Sequence, residues 1–77
     1  MATKIVLTEE MKTDILSAAV LGNVAFSNGL KRIPCFDKDL MNLLKKYDSW
    51  SDINHTMNMK LMTIWCENWD LANLNNN

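Results

Sequence analysis

The segment from Ile53 to Leu74 constrains the fold more than any other, because it carries two of the three tryptophans and three of the six methionines in this 77-residue chain. At 100° per residue, its apolar and polar side chains fall on opposite sides of a helix. The apolar side consists of Met57, Leu61, Met62, Ile64, Trp65, Trp69, Leu71 and Ala72. Its width of roughly 220° is about twice the ~100° stripe of an ordinary surface helix. The pattern therefore predicts a helix that either packs between two other helices or also contacts a partner.

Two further helices are predicted upstream of this segment. Thr8 is a suitable N-cap, and the two glutamates that follow it lie where carboxylates interact favourably with the helix dipole. Gly29 supplies the left-handed residue that commonly ends a helix, so the first helix is predicted over residues 9–28. After a rigid proline-containing connector, Asp37 is a suitable cap for a second helix over residues 38–47.

The whole chain is predicted to form one all-α domain, a compact three-helix domain. A short extended lead-in, residues 1–8, precedes the first helix, and Ser49 or Ser51 is expected to cap the third helix over residues 52–73. The asparagine-rich residues 74–77 are expected to form a flexible tail. A core of this size gives only marginal stability unless the chain is cross-linked or dimerises.

The first helix carries two apolar stripes. One is rich in small residues, which let another helix approach closely, and consists of Met11, Ile15, Ala18, Ala19, Gly22, Ala25 and Phe26. The other consists of Leu16, Val20 and Val24 and is either core against the second helix or an oligomer surface. We therefore expect the first and third helices to pack through the small-residue stripe, with Gly22 at a close helix crossing. We also expect self-association, as a homodimer, through the second stripe or through Met59 and Met62.

Charge and cysteine content restrict the classes of partner. The formal net charge of −1 provides no bulk attraction to nucleic acid or to an anionic membrane, so nucleic acid contact requires a local basic patch. No segment has the length of a signal peptide or a membrane span, and we expect a cytoplasmic protein with no membrane contact. Cys35 and Cys66 lack a second pair at metal-ligand spacing, which favours two free, buried thiols over a zinc site or a disulfide framework.

The chain offers few residues for catalysis. His55 is the only histidine, and a position in the first turn of the third helix favours an exposed or capping role over a ligand role. Asp37 and Asp39 resemble a paired carboxylate, but a helix cap and a first-turn acid explain both. We therefore predict a protein that is not an enzyme, with no catalytic residues, no cofactor and no metal site.

Six residues are candidates for contact with a partner. They are Lys31, Arg32, Lys38, Trp50, Glu67 and Asp70. The three basic residues surround the connector and form either a local patch for phosphate or a solvated loop. Trp50 lies in a predicted loop, where it either anchors an interface or covers the core. Glu67 and Asp70, flanking an exposed aromatic residue, would suit a basic protein surface.

The small-residue stripe, the connector and the end of the third helix resemble the ribosome modulation factor family of small bacterial proteins. The residues that carry the resemblance are Ala18, Gly22, Ala25, Gly29, Pro34 and the run from Trp65 to Asn73. The resemblance implies a helical protein that binds the ribosome and helps to silence translation. The family's glycine before the second tryptophan is Asn68 here, and the family's ribosome binders are strongly basic.

Similar small domains also occur in phage and mobile-element proteins, which leaves open an inhibitor of a host defence system, of the anti-CRISPR type. Charge placement separates this alternative from binding to the ribosome or another host complex. A ribosome binder needs one surface with Lys31, Arg32, Lys38, Lys45 and Lys46. An inhibitor that binds a protein could instead expose a negative face with Asp48, Asp52, Glu67 and Asp70.

Overall fold

The computed structural model of the chain describes residues 7–48 and 51–75, and the regular secondary structure of these residues is helical. The elements are α1 (Glu9–Ser27), a 3-10 turn (Pro34–Phe36), α2 (Lys38–Leu44), a second 3-10 turn (Lys45–Tyr47) and α3 (Asp52–Asn75). The predicted all-α, three-helix fold is confirmed. The predictions for residues 1–6, for Ser49 and for Trp50 lie outside the described residues.

The helix ends agree with the prediction to within two residues, apart from the end of the second helix. There, the last three predicted helical residues form the 3-10 turn. α3 continues to Asn75, so the first two residues of the predicted flexible tail are helical. Among the described residues, none of the helices combines the length and the apolar character that a bilayer span requires.

Side chains cap each helix at its start, and a glycine ends the first. Thr8, Asp37 and Ser51 each accept a hydrogen bond from a backbone N–H two or three residues further on, at 3.0 to 3.3 Å. At the end of α1, Gly29 has a φ of 80° and donates to the Phe26 carbonyl, while the next N–H donates to the Ala25 carbonyl. These two bonds form a Schellman motif, which satisfies carbonyls that the helix would otherwise leave unpaired.

α1 and α3 lie side by side and run in the same direction. Gly22 packs on the backbone of Trp65, and one turn further along both helices the rings of Phe26 and Trp69 meet edge to face, with centroids 5.1 Å apart. α2 runs in the opposite direction, because Tyr47, in the 3-10 turn that follows α2, forms a hydrogen bond with Asp14 near the start of α1. The topology is therefore an up-down-up helical bundle.

The core lies between the three helices. Its buried hydrophobic residues are Ala18, Ala25, Leu40, Tyr47, Met57, Leu61 and Trp65. The close crossing predicted at Gly22 is confirmed, because a Cβ there would lie 3.0 Å from the carbonyl carbon of Trp65 and nearer still to its oxygen. Leu7, at the described end of the predicted lead-in, packs partly buried against this core.

Several apolar side chains lie outside the core. Leu71, expected within the apolar side of α3, is 53% exposed. The stripe of Leu16, Val20 and Val24 also faces outward, so the alternative in which it packs against the second helix is wrong.

Both thiols are free, as predicted, but Cys35 is exposed because it lies in the 3-10 turn on the surface of the connector. The expectation of a buried thiol is therefore wrong for Cys35, and Cys66 is only partly buried.

Candidate interaction surfaces

The connector is fixed against α3 by polar contacts. Arg32 donates from Nε and from a terminal nitrogen to the two carboxylate oxygens of Asp70, at 2.8 and 2.9 Å. The hydrogen bonds to Asp70 and its negative charge raise the pKa of the Arg32 guanidinium. The Trp69 indole N–H donates to the Leu30 carbonyl at 2.9 Å. The paired, parallel geometry of the arginine and carboxylate favours a defined position of the connector over a freely moving loop.

The ion pair joins two residues that the sequence assigned to alternative surfaces, one basic and one acidic. Lys31 is exposed beside Arg32, and Glu67 is exposed one helical turn before Asp70. Lys38 is exposed at the start of α2, directly after the connector. We call these five residues the connector surface. It is a surface of mixed charge, and Trp50, the sixth candidate, lies outside the described residues.

The other two basic residues expected on a ribosome-binding surface, Lys45 and Lys46, lie apart from the connector surface. Lys46 lies in the second 3-10 turn, which follows α2, and its Nζ is 3.1 Å from Asp14 and 3.4 Å from Glu10. These hydrogen bonds, with that to Asp14 the strongest, raise the pKa of Lys46. Lys45 is exposed next to it. The five basic residues therefore divide between the two ends of the bundle, so the expectation that a ribosome binder presents all of them on one surface is not met. Only Lys31, Arg32 and Lys38 remain near the connector.

Asp14 is a buried acid that sequence reasoning did not identify. It is 3% exposed and accepts hydrogen bonds from Lys46 and, at 2.5 Å, from the Tyr47 hydroxyl. Burial, and then the bond to Asp14, raise the pKa of Tyr47. The available signal was its position one turn before Ala18 on the small-residue stripe, since a lone acid on a packing face needs donors. These hydrogen bonds connect the 3-10 turn that follows α2 to α1.

Asp37 is a second buried carboxylate, and it has two structural roles. One oxygen accepts from the backbone N–H groups of Asp39 and Leu40, as the predicted cap of α2 requires. The other accepts from the indole N–H of Trp65 at 2.8 Å. The second role was missed, although a buried indole N–H usually needs an acceptor. Asp37 therefore joins the start of α2 to the centre of α3.

The other polar residues that the sequence singles out are either exposed to solvent or form hydrogen bonds within the fold. His55 is exposed in the first turn of α3. Asn68 is partly buried, and its side-chain amide donates to the Ile64 carbonyl at 2.9 Å. Throughout residues 7–48 and 51–75, no three His, Cys, Asp or Glu side chains form a group that could hold a metal ion.

One apolar surface of the bundle is uncovered. Leu16, Val20 and Val24 form a ridge along α1, with 68%, 60% and 44% of their surfaces exposed. A groove lies on each side of this ridge. The first, of about 380 Å³, is lined by Thr13, Leu16, Ser17, Val20 and Leu21. The second, of about 260 Å³, is lined by Ala19, Val20, Asn23, Val24 and Asn68. We call the ridge and its two grooves the α1 face.

The fold and these surfaces describe a small helical protein with two candidate interaction surfaces, the connector surface and the α1 face. Comparison of the chain with protein-family models, with curated proteins and with solved structures finds no match.

Proposed function

We propose that this chain is a non-catalytic binding protein that modulates a larger macromolecular machine through its connector surface, with the ribosome as the first target. The ion pair between Arg32 and Asp70 carries the proposal, because it joins the connector, on which Lys31 lies, to α3, while the Asp37 cap fixes the start of α2 at Lys38. A surface ordered before binding loses less conformational entropy on contact. The resemblance to the ribosome modulation factor family supports the choice of target.

The electrostatic contribution to such binding is small and can be calculated. Lys31 and Lys38 form no ion pair among the described residues, whereas the guanidinium of Arg32 is already occupied by Asp70. Two lysines that neutralise two phosphates give a slope of log affinity against log salt of about −1.4 to −1.8. Because the net charge of −1 adds no general attraction, we expect binding at low salt and its loss at high salt.

The test is co-sedimentation with purified ribosomes across a salt series. Changing Lys31→Ala together with Lys38→Ala should lower the affinity and flatten the slope of log affinity against log salt by about 1.4 to 1.8 units. The matched control, Lys45→Ala with Lys60→Ala, removes the same charge from exposed positions outside the connector surface and should leave both quantities unchanged. Absence of wild-type binding at low salt would exclude the ribosome as the target.

A protein target in a host defence system is the second candidate. It is favoured by Glu67 and Asp70, because carboxylates within the connector surface repel phosphate but suit a basic protein. The variant Glu67→Gln separates the two candidates. It should strengthen ribosome binding, since it removes a negative charge beside the two lysines and leaves the ion pair between Arg32 and Asp70 intact. It should weaken a defence inhibitor, measured as phage plaque formation on a host that carries an active defence system.

A further inference from the structure

The α1 face is free of charge as well as apolar. From Ile15 to Leu30 the chain contains no Asp, Glu, Lys or Arg, and the side chains that line both grooves are uncharged. The outer surface of α3, in contrast, carries Lys60, Glu67 and Asp70. A partner selected by charge would therefore find complementary groups on α3 but not on the α1 face.

This absence of charge favours a second copy of the chain as the occupant. In a two-fold symmetric contact the same patch meets itself, so each side chain on the axis faces its own copy. A charged patch then repels itself, whereas an uncharged patch does not. The α1 face meets this condition along the full ridge from Leu16 to Val24.

The shape of the α1 face is also self-complementary. Leu16, Val20 and Val24 are spaced four residues apart, so they form one ridge of the type that packs into grooves between helices. A groove lies on each side of that ridge. When two such ridges interdigitate, the helices cross at about −50°, with their axes ~8–10 Å apart.

We propose that the α1 face is the interface of a homodimer in which two α1 helices cross at Val20. Val20 lies on the two-fold axis because it is the middle residue of the ridge and lines both grooves. Leu16 of each copy then packs near Val24 of the other. One helix crossing provides less than the ~800 Å² per partner of a standard interface, so the dimer is weak, with a Kd in the range of about 1–100 µM.

Sedimentation equilibrium from about 1 µM to about 500 µM brackets this Kd and tests the dimer. We expect the mass to rise with concentration from 8.9 kDa towards twice that value. Val20→Lys places two like charges on the axis and should raise the Kd about tenfold or more. Because Val20 is 60% exposed, the variant should keep the wild-type helix content, which circular dichroism checks.

Met59→Lys is the matched control, because Met59 is 53% exposed on α3, away from the α1 face. It should leave the Kd unchanged. A monomer throughout the concentration range overturns the proposal and leaves the α1 face for a different protein. A dimer that Met59→Lys dissociates and Val20→Lys does not would place the interface on α3 and also overturns it.

Oxidative cross-linking tests the position of the axis. In a Cys35→Ser background, Val20→Cys should form an intermolecular disulfide, because a residue on the axis brings the two Cα atoms within the ~4.4–6.8 Å that a disulfide requires. Lys31→Cys in the same background is the control and should remain monomeric on a non-reducing gel. A dimer that sediments but does not cross-link through Val20→Cys overturns the proposed crossing.

Discussion

Replacing Gly22 by alanine should destabilise the protein although alanine is the better helix former. The added Cβ would lie 3.0 Å from the carbonyl carbon of Trp65 and 3.1 Å from its Cα, with the carbonyl oxygen nearer still. All three neighbours are backbone atoms in the middle of α3, so no side-chain rotation relieves the contact. The two helices must separate, which loosens the packing around Ala18 and Ala25 on the same stripe.

The magnitude follows from two opposing effects. Overpacking a well-packed site costs about 1–3 kcal/mol, and the contact with backbone places this site near the upper end of that range. The better helix propensity of alanine offsets about 1 kcal/mol of this cost, because glycine is less favourable than alanine by that amount within a helix. The net loss of unfolding free energy is therefore ~1–2 kcal/mol, or a fall in Tm of roughly 4–16 °C for a domain of this size. Gly22→Leu should cost at least as much.

Urea and thermal unfolding followed by circular dichroism measure this loss. Thr63→Ala is the control, because this side chain is exposed on α3 outside both candidate surfaces and the change also improves helix propensity. It should leave the stability unchanged or raise it slightly. The close-crossing explanation is refuted if Gly22→Ala is as stable as the wild type or more stable, since propensity alone would then decide the outcome.

Two other substitutions test the buried carboxylates. Tyr47→Phe removes the hydroxyl that donates to Asp14 and should cost about 1.5–3 kcal/mol at pH 7. The pKa of Tyr47 is raised in the folded state. The stabilisation by its hydroxyl is therefore fully present below the ordinary tyrosine pKa of about 10 and is lost as the pH rises through the folded-state pKa. The urea midpoints of wild type and variant should converge above about pH 10. Asp37→Ala should cost roughly 2–4 kcal/mol, from a lost cap and an unpaired indole N–H. Asp37→Ser should recover only the cap, and equal stability of the two variants would contradict the role of the bond to Trp65.

The helices could be predicted because their signals are local. A cap at Thr8, a left-handed glycine at Gly29 and the apolar spacing of α3 each depend on residues within a few turns of one another. The packing of α1 on α3 was also predictable, because Gly22 continues a stripe of small residues with helical spacing. The ridge of Leu16, Val20 and Val24 was recognised, but two placements remained open, since periodicity shows that a second stripe exists and not what covers it.

The links between distant residues could not be predicted. Arg32 and Asp70 are far apart in the sequence and were assigned to opposite surfaces, and only the path of the connector across α3 brings them together. The second partner of Asp37, Trp65, depends on the same path. The exposure of Cys35 follows from the direction in which a short 3-10 turn projects, which no periodic pattern encodes.

The residues that carry the family resemblance are mainly those that build the bundle. Gly22 lies at the crossing of α1 and α3, Gly29 ends α1, and Ala18, Ala25 and Trp65 are buried in the core. Such positions determine how the helices pack, and the same packing can present many different surfaces. The target must instead be recognised by exposed residues, and those on the connector surface and the α1 face lie largely outside the resemblance. Experiments on function should therefore change exposed residues of these two surfaces and leave the packing residues unchanged, since a loss of binding caused by a core substitution would report unfolding.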